Sequence, residues 1–197
     1  MAQLSAPEIK KSKMNSAPSK ALNHQAIAAL KQGQAHTAIS LLRPTCNETC
    51  SDPQSWFILG SAYGLASEPA AAEEAFRQCI QLNPGHLQAR TNLGKILVSE
   101  SRFNEAVSVL EEVLSTKPGH RPAAIALANA LTQQKRYADA ESYCRSFISG
   151  NESDAEIFTL LGNINRLKGE PELALELLKQ ATARNPVFVP AYVNSGL

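Results

Sequence analysis

Two periods are superposed on the apolar positions of this chain. In short windows, apolar side chains recur every three or four residues, as Trp56, Leu59 and Tyr63 do in one segment and Ala72, Phe76 and Cys79 in the next. That spacing puts each trio on one face of an α-helix. Across the chain the pattern then repeats with a period of 34 residues. Gly60, Gly94, Ala128, Gly162 and Gly196 share one register, and Ala38, Ala72, Ala106, Ala140 and Ala174 share another. A fixed period of this length predicts a stack of identical helical units, each unable to bury its apolar face alone. Such a stack offers a long concave surface rather than a catalytic cleft.

The registers divide the chain into units at 19–52, 53–86, 87–120, 121–154 and 155–188, with a partial sixth at 189–197. Each unit reads as a hairpin of two antiparallel helices, here called A and B. Gly33 and Gly169 occupy one register, where a small residue lets helix A end. Pro69 and Pro171 fall at the first turn of helix B, where proline's missing N–H does no harm. Pro84, Pro118 and Pro186 close helix B, because proline cannot continue a helix. The small residues in helix A allow close backbone approach where A crosses B. Phe76 and Leu110 are expected to fill the space between neighbouring units.

Composition adds limits to this outline. Apolar residues make up 44% of the 197 and aromatics only 6%, which suits thin, closely packed helices better than sheets. A net charge of +1 supplies no global field to recruit nucleic acid or an acidic membrane. No apolar run approaches the roughly 20 residues needed to cross a bilayer. Residues 1–18 lack the apolar core of a secretory signal and carry Lys10, Lys11 and Lys13 among Ser, Ala and Pro, as a disordered basic leader does. Four cysteines without an export signal predict free thiols and a cytoplasmic location.

The second unit carries Trp56, Leu59, Gly60, Tyr63, Ala72, Phe76 and Pro84, and in this it resembles the tetratricopeptide-repeat family. The third and fifth units keep the small residues, leucines and proline. The fourth departs with Cys144 in the Phe place and Glu152 in the Pro place, and the first with Gln25 and Cys50 in the Leu and Pro places. The resemblance covers 19–197. It implies an all-α fold, a right-handed solenoid of antiparallel helix pairs, whose inward-facing helix A residues hold extended peptides. Carried onto this chain, that face is Thr91, Asn92, Lys95, Asn129, Gln133, Thr159, Asn163, Arg166 and Asn194. These are the hydroxyl, amide and cationic groups needed to hold a peptide backbone. Phe57, Ile58 and Ser61 make the second unit's share more apolar.

Asn92 and Asn194 share a register that resembles the asparagine ladder of protein O-linked N-acetylglucosamine transferases. Ile58, Ala126 and Leu160 interrupt it, and an exposed asparagine also serves simply to solvate a groove. Lys95 with Asn92, and Arg166 with Asn163, resemble the carboxylate clamp of chaperone cofactors. Asn23 and Ile27 stand where that clamp's first Lys and Asn belong.

Other candidate chemistry is sparse. Cys46 and Cys50 form the one close thiol pair; they lack two further zinc ligands and read as free thiols or a local disulfide. His86 and His120 recur with the repeat loop. No phosphate loop, nucleophile elbow, metal-binding helix or basic–aromatic patch appears in the sequence. The expectation is a non-catalytic scaffold or adaptor, without cofactor or metal, that binds a protein or peptide and neither nucleic acid nor membrane. The alternative is the substrate-recruiting arm of a larger sulfotransferase or glycosyltransferase, since Leu197 falls midway through a helix A with no capping helix after it. An uncapped C-terminal face would also allow self-association.

Overall fold

The computed structural model describes residues 16–47, 50–148 and 155–186. They form ten α-helices and, among the described residues, no strand: α1 (Ser16–Lys31), α2 (Ala35–Leu42), α3 (Pro53–Leu65), α4 (Pro69–Leu82), α5 (Leu87–Ser99), α6 (Phe103–Thr116), α7 (Arg121–Gln133), α8 (Tyr137–Ile148), α9 (Ala155–Lys168) and α10 (Pro171–Arg184). Odd-numbered helices are the A members of the hairpins and even-numbered ones the B members. The fold is an all-α solenoid-type repeat of antiparallel pairs. The chain divides into two compact units, Met1–Gly85 and His86–Leu197.

All five A helices end in the same local geometry. The backbone turns left-handed at Gly33, Ser67, Ser101, Lys135 and Gly169, with φ between 60° and 90°. The next residue's N–H then reaches back five residues. Gln34 donates to Ala29, Glu68 to Tyr63, Arg102 to Leu97, Arg136 to Leu131 and Glu170 to Asn165, each at 2.9 Å. This is a Schellman closure, which satisfies carbonyls that a helix end would otherwise leave bare. Helix starts are fixed as firmly. Pro53, Pro69, Pro122 and Pro171 stand in the first turns of α3, α4, α7 and α10.

Close approach inside each hairpin explains the glycine register. A Cβ on Gly60 would lie 2.8 Å from the Phe76 ring, one on Gly94 2.6 Å from Leu110, and one on Gly162 2.7 Å from Leu178. Each large B-helix residue therefore packs first against the glycine of its own hairpin. Phe76 also meets Phe57 at a centroid distance of 6.1 Å.

In the first unit, α3 packs against α1, α2 and α4 around Leu42, Ile58 and Leu59. Asp52 caps α3, accepting from the backbone N–H groups of Gln54 at 3.1 Å and Ser55 at 3.3 Å. Buried Asn23 on α1 donates to the same carboxylate at 2.9 Å, and the Ser55 hydroxyl lies within bonding distance of both. Asn23, at the clamp's Lys place, is thus committed to a helix cap.

In the second unit, α7 touches α5 and α9 directly, while α6 and α8 each bridge consecutive A helices. Among the described residues α6, α8 and α10 do not pack against one another. The A helices form a closed layer and the B helices a spaced one, so this unit curves toward its A side.

Candidate functional site

The A layer of the second unit leaves one face of α5, α7 and α9 to solvent. Lys95, Asn129 and Asn163 stand at the same register on the three helices; the first two are exposed and Asn163 is half-buried. Gln133 and Arg166, one helical turn further along, are exposed as well, and Asn92 is half-buried one turn before Lys95. Because α7 packs against α5 and α9, these side chains share one continuous wall. The Oδ1 of Asn163 is buried and accepts no hydrogen bond.

The two threonines behave differently. Thr91 is 2% exposed and Thr159 5%, and each hydroxyl donates to the carbonyl four residues back at 2.8 Å, Leu87 for the first and Ala155 for the second. Ser61 and Thr132 fold back in the same way, to Phe57 and Ala128. A hydroxyl so engaged offers a ligand little, so the wall's polar chemistry is amide and cationic. The apolar share expected in the second repeat is also corrected: Ile58 is 2% exposed and belongs to the core. Asn194 lies outside the described residues, as do 1–15, 48–49, 149–154 and everything from 187 onward, including the C-terminal face considered for self-association.

Electrostatics single out two of the wall's groups. Arg90 pairs with Glu112, Arg121 with Glu156 at 2.7 Å, and Lys168 with Glu141 at 3.1 Å. Lys95 and Arg166 meet no carboxylate among the described residues. Burial, with the charges of Lys117 and Lys95 nearby, holds His120 below its ordinary value and keeps its imidazole neutral. Its Nδ1 accepts from the N–H of Ala123 at 3.3 Å, as the His86 Nδ1 accepts from Ala89 at 3.1 Å. The recurring histidines are N-caps of α7 and α5, a role that their place in the repeat loop did not disclose.

One buried polar residue escaped the sequence reading altogether. Asn165 is fully buried where Tyr63, Leu97 and Leu131 stand in earlier repeats; its Nδ2 donates to Leu161 at 2.8 Å and its Oδ1 has no partner. The cysteines are all free. Burial, then the adjacent Cys50 thiol, pushes Cys46 up to about 12, and burial pushes Cys79 up to about 11, so both are unreactive thiols at neutral pH. Among the described residues no cluster of His, Cys, Asp and Glu is arranged to hold a metal, and no helix is long and apolar enough to cross a membrane.

Two family models match the chain, both described as tetratricopeptide repeat. One spans residues 97–164 and the other 53–86 and 155–188, together more than half of the sequence. No curated protein sequence matches it. Among solved structures, MamA from Desulfovibrio magneticus RS-1 superposes with a TM-score of 0.78 at 18% identity, covering 89% of this chain and 99% of that one. YrrB, described as a TPR protein with an unusual peptide-binding site, gives 0.73 at 17%, covering 92% and 99%. TTC0263, a thermophilic TPR protein of Thermus thermophilus, gives 0.72 at 16%, covering 90% and 97%. At these identities the likeness is one of fold.

Proposed function

The chain belongs to the tetratricopeptide-repeat family and is a protein-interaction module, and from that premise we propose that it holds an extended peptide along the exposed face of α5, α7 and α9. The single observation carrying this reading is the register of Lys95, Asn129 and Asn163 on three packed helices. A carboxamide both donates and accepts, so each asparagine matches the N–H and C=O of an extended chain whatever its side chains. Asn92, Gln133 and Arg166 extend the set. The protein acts without chemistry of its own, as a cytoplasmic scaffold or adaptor whose four cysteines stay reduced.

The test is selection of peptides on the native protein from a random twelve-residue display library, followed by titration of the enriched sequences. Asn129→Ala with Asn163→Ala should weaken them by about tenfold, the loss of two hydrogen bonds of about 0.5–1.5 kcal/mol each. Enriched peptides that bind the doubly substituted protein equally well would refute the assignment of this face.

A further inference from the structure

Charge is sorted between the two layers of the second unit. α5 and α7 carry no acidic residue, and the one acid on α9, Glu156, is paired with Arg121. In the B layer α6 is the reverse, with Glu105, Glu111 and Glu112 and no cation, while α8 and α10 carry both signs, Arg145 with Asp139 and Glu141, and Lys179 and Arg184 with Glu172 and Glu176. Cations that lean toward the B layer find partners there, Arg90 on Glu112 of α6 and Lys168 on Glu141 of α8. Lys95 and Arg166, on the exposed A face, find none. A chain of net charge +1 therefore presents a cationic wall just where its amides stand free.

Resting on the peptide-binding reading above, we propose that this wall selects acidic peptides, with two carboxylates set apart by the spacing of Lys95 and Arg166. Packed helices lie about 8–10 Å apart, and an extended chain advances about 3.3 Å per residue, so each A helix spans about three peptide residues. Lys95 on α5 and Arg166 on α9 are two helix spacings apart, which corresponds to about five or six residues of ligand. Asn129 on α7 then lies between the two charge contacts and holds the intervening backbone. Arginine at the α9 end adds a forked donor that suits a carboxylate.

The experiment uses the full chain and the enriched peptides from the display selection, with their Glu and Asp positions counted. Enrichment of two acids five or six apart, and affinity that falls about tenfold in Lys95→Glu with Arg166→Glu, supports the proposal. Replacing both peptide acids by Gln should weaken binding to the native protein several-fold and leave the charge-reversed protein almost indifferent. Peptides that depend on Asn129 and Asn163 but show no acidic preference overturn this inference and leave the groove reading standing. No enriched peptide at all, or peptides insensitive to the asparagines, overturns both. A fluorescent fifteen-nucleotide oligo-dT that binds more tightly than the peptides, and loses binding on charge reversal, overturns the inference in favour of nucleic acid. Far-UV circular dichroism with an unchanged melting midpoint establishes that each variant is folded.

Discussion

His86 and His120 begin α5 and α7 by accepting a backbone N–H at Nδ1, which only a neutral imidazole can do. For His120, burial and the nearby lysines lower the pKa from 6.5. The folded chain thus binds a proton less readily than the unfolded one. Stability is complete above the unfolded value and falls as pH drops through and below it. We expect the urea midpoint to fall between about pH 7.5 and about pH 5.5, and His120→Asn, which keeps an acceptor without titrating, to remove part of that fall. A midpoint equally pH-dependent in the variant would contradict the cap's role. Glu141 acts in a separate, more acidic window. Burial alone would raise its pKa, but hydrogen bonds from Arg145 and Lys168 outweigh it and hold the value below 4.5, so its contribution is lost only as pH falls through that lower range. Asn165 gives a second prediction at this scale. Its buried, unpartnered carbonyl occupies a place that Leu97 and Leu131 fill in earlier repeats. Asn165→Leu should stabilise by about 1–2 kcal/mol in urea denaturation, because it removes an unsatisfied polar atom, keeps the same branched heavy-atom skeleton and restores the residue that Leu97 and Leu131 supply in earlier repeats.

At the scale of the element, the five left-handed turns test how far glycine matters. Gly33 and Gly169 were legible as helix ends because glycine signals the conformation. Ser67, Ser101 and Lys135 adopt the same φ and carry no such signal. The 34-residue register places them there; their side chains do not. A non-glycine residue pays about 1 kcal/mol for this backbone region. Lys135→Gly should therefore raise stability by about 0.5–1 kcal/mol, and Gly169→Ala, at φ 90°, should lower it by about 1 kcal/mol. Chemical denaturation of the pair checks both signs, and two changes of the same sign would reject the account. The hairpins themselves were legible because Gly60, Gly94 and Gly162 must leave room for Phe76, Leu110 and Leu178, a constraint that only small residues meet. The threonines depart from the expected wall for a local reason. Thr91 and Thr159 lie one position before the wall and turn their hydroxyls into their own helices, and periodicity alone does not resolve a rotation of one residue.

At the scale of the whole molecule, composition concealed what the fold separates. A net charge of +1 reads as featureless, because in the second unit it sums an acidic α6 and an A layer whose helices carry cations and a single acid. Which cations are already neutralised depends on contacts such as Arg90 with Glu112, 22 residues apart in sequence. No pattern of residue types identifies Lys95 and Arg166 as the pair left over. The Lys95, Asn129 and Asn163 register was present in the sequence throughout, and it gained meaning once α5, α7 and α9 were seen to share a wall. The most direct test of that wall is a ¹⁵N chemical-shift titration with an acidic peptide enriched on the native chain, following backbone amides and the side-chain NH₂ groups of Asn92, Asn129, Gln133 and Asn163. The account predicts shifts concentrated on the exposed face of α5, α7 and α9. Shifts centred on α6, α8 and α10, with those four side chains unmoved, would contradict it.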